Sequence, residues 1–295
     1  MGQFQEREAK NMNKQEINML NLNAYKIRRH ILDGVYNAAS GHPGGSLSIA
    51  EIMSVLYFKE MNVDAGDPKN PDRDRFVLSK GHCAPALYGT LAEKGFIPKE
   101  DIVTLRKTDS YLEGHPDMKG IPGVDMSSGS LGQGVSCANG MALAGKLKNK
   151  NYRVYTVLGD GEIEEGQVWE AAMFAAHYKL DNVTYFLDLN GLQIDGPTDM
   201  VMSSAPADKK FEAFGFNVLT ADAHNVEEIY DAIQKAKECK GKPSIIICKS
   251  TKGKGVSYME NKCEWHGAAP KQDLYEAAIK EIDAKIAELE VLLGE

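Results

Sequence analysis

Two β-type runs with a helical segment between them constrain most strongly how this chain can fold. The first run, residues 154–158, ends abruptly in Gly159-Asp160-Gly161, and the second, residues 183–187, ends just before Asn190. The alanine-rich stretch of residues 165–178 between them has the composition of a helix. Together these stretches predict a βαβ unit, in which the carboxyl ends of parallel strands lie side by side and form the usual ligand site.

Asp160 and Asn190 fall at these two strand ends, and their side chains offer oxygen ligands of the kind that a hard cation prefers. A carboxylate, an amide oxygen and a backbone carbonyl just beyond Asn190 can together bind Mg²⁺, whose remaining positions take water and phosphate oxygens. Gly161 can present its N–H to a phosphate near a helix start. A Gly-Asp-Gly triplet alone is typical of an ordinary turn, so the prediction depends on the strand–turn–helix context.

Other loops rich in glycine carry further candidate residues. Four of them contain one histidine each, namely His42, His82, His115 and His266. These histidines lack the short pairing, with ligands ~2–5 residues apart, that is typical of zinc sites. The stretch of residues 127–134 precedes a helix but has neither the dinucleotide-binding spacing of glycines nor a P-loop lysine. The basic loop of residues 250–255 is compatible with a phosphate cradle and equally with a solvated turn.

The Gly159-Asp160-Gly161 motif followed by Asn190 resembles the thiamine diphosphate fingerprint. The longer versions Gly-Asp-Gly-Glu-Ile-Glu-Glu-Gly and Asp-Leu-Asn-Gly-Leu-Gln-Ile-Asp-Gly resemble transketolase, and the resemblance covers residues 24–267. It implies thiamine diphosphate and Mg²⁺ as cofactors, with Ca²⁺ or Mn²⁺ as possible substitutes. The implied metal ligands are Asp160, Asn190 and the backbone of Leu192. The implied cofactor-binding residues are His82, Gly129, Ser130, Leu131, Gly161, Glu162, Glu165, Asn190 and His266. The implied substrate-binding and catalytic residues are His42, His115 and His266.

Two of these positions carry a further implication of the resemblance. Glu165 matches a family glutamate at a subunit interface near the cofactor. Ser130 stands where we expect proline, although a contact made by the backbone should survive that change. For the three substrate histidines we expect hydrogen bonds to sugar oxygens and proton transfer, to which a pKa near neutrality is suited.

The resemblance implies the N-terminal subunit of a split transketolase, which transfers a two-carbon ketol unit from a phosphorylated or otherwise anionic ketose to an aldose. The implied partner is a C-terminal subunit that supplies the pyrimidine-binding domain, in an α₂β₂ assembly. Two alternatives are the α subunit of a thiamine-dependent 2-oxo acid dehydrogenase and a non-catalytic cofactor-binding subunit. The histidine loops argue against the first, and Asp160 with Asn190 argues against the second.

The alternation of strands, loops and helices predicts an α/β fold, a doubly wound and mostly parallel sheet with helices on both faces. We expect a single domain over residues 1–295, with a helical N-terminal arm at about 1–39, frayed over residues 1–16, and a C-terminal helix at about 271–293. The net charge of −8 argues against a nucleic-acid surface. No apolar run approaches the ~20 residues of a membrane span. Five scattered cysteines favour a reduced, cytoplasmic protein.

Overall fold

The computed structural model describes residues 12–294. Its strands are β1 (Arg75–Leu78), β2 (Val154–Gly159), β3 (Val183–Leu189), β4 (Leu192–Gln193), β5 (Gly196–Pro197), β6 (Asn217–Asp222) and β7 (Ser244–Lys249). Its α-helices are α1 (Lys14–Ala38), α2 (Pro43–Leu47), α3 (Ala50–Val55), α4 (Ala84–Lys94), α5 (Gln133–Leu147), α6 (Gly166–His177), α7 (Thr198–Val201), α8 (Ala207–Ala213), α9 (Val226–Glu238) and α10 (Gln272–Leu293).

The main sheet has the strand order β1-β2-β3-β7-β6, and every neighbouring pair is parallel. The predicted βαβ unit is β2-α6-β3, in which Gly159 at the end of β2 lies opposite Asp188 in β3. Because all strands run the same way, the loops that follow β1, β2, β3 and β7 open on one edge of the sheet. This is the edge where ligands bind in such folds.

Both faces of the sheet are covered by helices, as the sequence predicted. Along β2, Tyr155 and Val157 pack into a core shared with α1, α3, α4, α9 and α10. Val154 and Leu158 point to the opposite face and pack with residues of α5, α6 and α8. A strand buried on both sides has to be almost continuously apolar, which explains the short runs of Val, Ile and Leu in the central strands. The predicted doubly wound α/β architecture is therefore confirmed.

The two terminal helices pack against each other on one face of the sheet. Tyr36 of α1 stacks on Tyr275 of α10 with ring centroids 3.9 Å apart, and Arg29 forms an ion pair with Asp283 at 2.5 Å. The expectation of fraying through residue 16 is wrong for residues 14–16, because Asn13 and Glu16 form a reciprocal capping box that starts α1. Residues 1–11 of the predicted arm lie outside the described residues.

The apolar pattern of residues 49–60 predicts one helix, but the structure divides this stretch in two. Its first part is α3, and residues Leu56–Glu60 continue it as a π-helical turn. Asn225, a residue type that favours the start of a helix, caps α9, since its side chain accepts hydrogen bonds from the N–H groups of Glu227 and Glu228. Within residues 12–294, no helix is both long enough and apolar enough to cross a bilayer.

Candidate active site

A cavity of about 360 Å³ opens at the carboxyl edge of the sheet and collects most of the predicted site residues. The predicted residues in its wall are His42, His82, Gly129, Leu131, Asp160, Gly161, Glu162, Glu165, Asn190, Leu192 and His266. They come from loops that are distant in the sequence. The tertiary structure therefore brings together the candidate metal, cofactor and substrate residues in one place.

Asp160 is a buried carboxylate at the end of β2, with only 2 % of its surface exposed. Its oxygens accept hydrogen bonds from the N–H of Gly161 at 2.9 Å and the N–H of Gly191 at 2.5 Å. Burial and the nearby carboxylate of Asp188 nevertheless raise the pKa of Asp160 to about 6. No ion pair to Asp160 is formed by the residues that the structure describes. A cation beside this carboxylate would relieve the unfavourable energy of its burial.

Asn190 and Leu192 provide two further oxygens on the neighbouring loop after β3. The amide nitrogen of Asn190 donates to Asp188 at 3.1 Å, and its amide oxygen accepts from the N–H of Leu192 at 3.0 Å. The backbone carbonyl of Leu192 accepts a hydrogen bond from the Lys252 ammonium at 2.9 Å. The Asn190 amide is thus held in one orientation, and the Leu192 carbonyl already attracts positive charge.

Asp188 is a buried carboxylate that accepts hydrogen bonds from several of the loops that form the site. It forms an ion pair with Lys80 and accepts hydrogen bonds from Ser48 at 2.7 Å and from the hydroxyl of Ser250. Burial would raise the pKa of Asp188, but the Lys80 ammonium outweighs it and holds that pKa below its usual value. The loops that carry His42, His82, Asn190 and Lys252 therefore meet at one carboxylate.

The four predicted histidines form a cluster at the cavity. The ring of His42 lies 5.2 Å from His82, 5.5 Å from His266 and 6.4 Å from His115, measured between centroids, and His82 stacks on His266 at 5.1 Å. His115 is exposed at the rim and contributes to a neighbouring depression instead of the cavity wall. The Nδ1 atom of His42 is buried and has no hydrogen-bond partner among the described residues.

The expectation of histidine pKa values near neutrality is wrong. Burial, followed by the charge of Arg106, lowers the pKa of His42 to about 4, and burial with the charge of Lys252 lowers that of His266 to about 3. The pKa of His82 and that of His115 are also lowered, first by burial and then by Lys80 and Arg106 respectively. These imidazoles are neutral at pH 7. Each can then donate through one ring nitrogen and accept through the other.

Glu162 supports the loop that the sequence predicted to hold the cofactor. It is buried and accepts hydrogen bonds from the hydroxyl of Ser79 at 2.5 Å and from the N–H groups of Gly132 at 2.9 Å and Gly159 at 3.1 Å. Its carboxylate thereby fixes the backbone next to Gly129 and Leu131. Ser130 is exposed and outside the cavity wall.

Other predicted residues complete the rim of the cavity. Glu165 is exposed there, at the residue that precedes α6. Gly134, the second residue of α5, lies so close to the loop after β1 that a Cβ atom would lie 2.6 Å from the Cα of Ser79. Only glycine permits this approach of the helix to the loop.

From the sequence, the loop that carries Lys252 is either a phosphate cradle or a solvated turn, and the structure argues against the second. Lys252 is 2 % exposed and lines the cavity, so its loop is not a solvated turn. Its ammonium lies 2.9 Å from the Leu192 carbonyl and 3.0 Å from Nδ1 of His266. The sequence signal was a basic, glycine-rich loop at the carboxyl end of an apolar strand. Lys80 was missed, although it follows β1 in a similar loop and is also buried in the cavity wall.

The donors in this cavity fit a diphosphate held through a divalent cation. One carboxylate, one amide oxygen and one backbone carbonyl form an oxygen set of the type that Mg²⁺ takes, with room for phosphate oxygens. The buried ammonium of Lys252 beside them suits the remaining negative charge of a diphosphate, whereas that of Lys80 is paired with Asp188. Among residues 12–294, no three His, Cys, Asp or Glu side chains form a metal cluster. The candidate set contains only one such residue, Asp160.

Comparison with protein families agrees with this geometry. The family model described as "Transketolase, thiamine diphosphate binding domain" matches residues 20–286. The chain is 44% identical over 272 residues to "6-deoxy-6-sulfo-D-fructose transketolase subunit SqwG" from Clostridium sp. (strain MSTE9), covering 92% of this chain and 98% of that protein. It is 42% identical over 275 residues to an apulose-4-phosphate transketolase subunit from Phocaeicola vulgatus, covering 93% of this chain and 98% of that protein.

Longer proteins match over part of their length. Human transketolase is 43% identical over 281 residues, which are 95% of this chain and 44% of that protein. The crystal structure of transketolase from Campylobacter jejuni superimposes with a TM-score of 0.86 at 32% identity, covering 96% of this chain and 47% of that one. The chain thus spans nearly all of the relatives named as subunits and about half of these longer ones.

Proposed function

This chain belongs to the transketolase family, and from that premise we propose that it is the N-terminal subunit of a two-chain enzyme. The enzyme transfers a two-carbon ketol unit from a ketose to an aldose with thiamine diphosphate as cofactor. The observation that carries the proposal is a cavity lined by Asp160, Asn190, Leu192 and the neutral histidines His42, His82 and His266. Oxygen donors for a metal and hydrogen-bonding groups for a polyhydroxylated substrate are both needed for this reaction.

Asp160, Asn190 and the Leu192 carbonyl are our proposed ligands for Mg²⁺, which Ca²⁺ or Mn²⁺ can replace. The buried Asp160 carboxylate, whose pKa is raised to about 6, supports this assignment because a bound cation would stabilise its charged form. His82, Gly129, Leu131, Gly161 and His266 would hold the cofactor, and Glu162 would fix the Gly129–Leu131 backbone. Ser130 and Glu165 would contribute at the rim of the cavity.

Thiamine diphosphate supplies, when bound, the electron sink that the breaking of a carbon–carbon bond beside a ketose carbonyl requires. The protein's own contribution is to bind, orient and exchange protons with the sugar. We assign this role to His42, His115 and His266, whose rings surround the cavity mouth. A neutral imidazole donates a hydrogen bond to one sugar hydroxyl through its N–H, and its other nitrogen can take a proton from a second hydroxyl and return it later in the reaction.

The substrates we propose are anionic ketoses and aldoses. Two similar subunits are named for 6-deoxy-6-sulfo-D-fructose and for apulose-4-phosphate, and both names carry an acidic group. In this chain, Arg106, Lys80 and Lys252 place positive charge around the histidine cluster. Arg106 is exposed beside His115, where its guanidinium can pair with the acidic group of such a substrate.

We propose that the partner is a C-terminal transketolase subunit, in an α₂β₂ assembly. It would supply the pyrimidine-binding domain and the acid that activates the cofactor. The similarity to two relatives named as subunits, over 98% of their length, supports a two-chain enzyme. We further propose that the chain forms one domain, in accord with the packing of α10 on α1, and works in the cytoplasm, in accord with its free cysteines.

The two alternative functions are less well supported. A 2-oxo acid dehydrogenase subunit is not favoured by the family match or by the relatives, which are transketolases. A non-catalytic binding subunit would not need three neutral histidines at the cavity mouth.

The test combines this chain with candidate C-terminal subunits and measures two quantities. Calorimetric titration should detect Mg²⁺-dependent binding of thiamine diphosphate, and a coupled assay should detect ketol transfer from anionic ketoses. Cofactor binding without ketol transfer from any ketose tested would support the non-catalytic alternative. Decarboxylation of a 2-oxo acid without ketol transfer would support the dehydrogenase alternative.

A further inference from the structure

We propose that His224, Glu51 and Arg28 are positioning residues that hold the loop of residues 250–255, and with it Lys252, against the active-site cavity. None of the three lines the cavity itself. The inference rests on the proposed function only in that it treats Lys252 as part of a diphosphate site. We call these three residues and their contacts with the loop the clamp. The clamp is a property of the described structure and can be tested separately.

His224 binds the loop at Thr251, the residue before Lys252. The N–H of Thr251 donates to Nε2 of His224 at 2.9 Å. Because a backbone N–H can only donate, Nε2 must be the accepting nitrogen and the ring proton lies on Nδ1. Nδ1 then donates to Oε2 of Glu51 at 3.1 Å. The imidazole is therefore a rigid spacer between the loop and α3.

Arg28 binds the same loop at Lys254, two residues after Lys252. Its Nε donates to the carbonyl of Lys254 at 2.9 Å, and its Nη2 donates to Oε2 of Glu51 at 2.7 Å. A second bond from Nη2 reaches the carbonyl of Leu47 in α2 at 3.2 Å. Arg28 and Glu51 are both buried, so water does not compete for these bonds. One carboxylate oxygen of Glu51 thus holds both residues that bind the loop, Arg28 and His224.

Lys252 needs such a grip because its position is unfavourable without one. Its ammonium is buried in the same cavity wall as that of Lys80, and like charges in a desolvated site repel each other. A lysine side chain is long and flexible, so its position depends on a fixed backbone. Bonds at Thr251 and Lys254 fix the backbone on both sides of Lys252. Loss of the grip should release the ammonium from the Leu192 carbonyl and His266.

The experiment compares variants of the full chain by hydrogen–deuterium exchange and by calorimetric titration with Mg²⁺ and inorganic pyrophosphate. His224→Ala removes the spacer, and His224→Gln restores one donor and one acceptor. His30→Ala is the matched control, because His30 is similarly buried and forms a comparable pair with Glu93 at 2.7 Å, away from the cavity. His224→Phe keeps the ring volume and replaces His224→Ala if that variant does not fold.

We expect His224→Ala to speed amide exchange in residues 250–255 by about 5–10-fold, as loss of a hydrogen bond of about 1 kcal/mol implies. Pyrophosphate affinity should fall by about 10–100-fold, the usual effect of losing a supporting partner behind a binding site. His224→Gln should recover most of both losses, and His30→Ala should change neither. Thermal unfolding, followed in parallel, separates this local effect from a general loss of stability.

Two results would overturn the proposal. One is equal exchange of residues 250–255 in His224→Ala and His30→Ala. The other is unchanged pyrophosphate affinity in His224→Ala when the unmodified chain binds pyrophosphate. If the unmodified chain binds no pyrophosphate, the proposed diphosphate site is wrong, and the exchange comparison still decides whether the clamp exists.

Discussion

Asp160 shows how one residue type acquires a function from its surroundings. It stands at the end of a buried strand, accepts two backbone hydrogen bonds and lies beside a second carboxylate, Asp188. A carboxylate in such a place is costly unless a cation joins it. The pKa values of the histidines around it are shifted in the opposite direction, because burial and nearby lysines or arginine lower them and keep the imidazoles neutral.

For the metal site we predict that Asp160→Ala loses Mg²⁺-dependent binding of thiamine diphosphate. The affinity should fall by at least about 100-fold, more than the 10–100-fold typical of residues behind a metal ligand. Asp181→Asn is the control, because Asp181 precedes β3 at the opposite edge of the sheet. Calorimetric titration of both variants with the partner present measures the effect. Unchanged cofactor affinity in Asp160→Ala would show that the metal assignment is wrong.

For the substrate histidines we predict that His115→Ala lowers turnover by about 10²–10⁴-fold, the usual loss of a positioned acid–base group. Cofactor affinity should change little, since His115 is exposed at the rim and outside the cavity wall. Steady-state kinetics at saturating cofactor and a separate cofactor titration give the two quantities. A collapse of cofactor affinity with normal turnover at saturation contradicts this role.

At the scale of the elements, the site depends on a buried ion pair and on buried hydrogen bonds that join helices to loops. Glu51 of α3 binds Arg28 of α1 and His224 after β6, and all three lie behind the cavity. The basic side chains of residues 28–30 all pair with carboxylates: Arg28 with Glu51 and His30 with Glu93 inside the fold, and Arg29 with Asp283 at the surface. The helix face is packed and is not an anion site.

We predict that Glu51→Gln destabilises the fold by about 3–5 kcal/mol at pH 7, because it leaves the Arg28 charge buried and unpaired. Burial would raise the pKa of Glu51, but Arg28 outweighs burial and lowers it to about 2. A lowered pKa stabilises the fold at pH values above the unfolded-state pKa of about 4.3, and this contribution is lost as the pH falls toward 2.

The difference in stability between the wild type and Glu51→Gln should therefore shrink as the pH falls from about 4.3 to about 2. Urea unfolding at several pH values measures it. Glu288→Gln is the control, since Glu288 pairs with Lys285 on the surface of α10 and should change stability by less than about 0.5 kcal/mol. A difference that stays constant across this pH range would contradict the expected sign.

At the scale of the whole molecule, the cavity is bordered by an apolar surface segment. Ile194, Met200 and Met202 are 62%, 80% and 62% exposed, and Ile194 also lines the cavity. Exposed apolar side chains grouped on one segment are typical of a protein–protein contact. This segment extends from the proposed metal site toward the surface, where the proposed partner would complete the active site.

We predict that the isolated chain does not catalyse ketol transfer, because the proposed acid opposite the cofactor comes from the partner. Adding the C-terminal subunit should restore activity at a 1:1 ratio, with an onset that depends on concentration. Activity titrations at several total concentrations measure this. Ketol transfer by the purified chain without a partner would refute the two-chain proposal.

We also predict that the isolated chain self-associates through the apolar segment. Replacing Met200 and Met202 by Gln should reduce self-association and weaken the response to the partner, because less apolar area is buried in either contact. Sedimentation velocity and the activity titration report the two effects. The melting temperature should stay unchanged, since both side chains are exposed. Unaltered sedimentation and partner response would exclude this segment from the contact.

The sequence by itself determined the central strands, the βαβ unit that they form and the position of Asp160 and Asn190 at strand ends. These features follow from local patterns, because an apolar run and the turn after it are adjacent in the chain. The tertiary structure alone decided which charges are buried and what they do. Lys80 meets Asp188 across 108 residues, and Arg28 meets Lys254 across 226. The pKa and role of a charged group depend on burial and on partners brought close by folding. The residues next to it in the sequence determine neither its burial nor these partners.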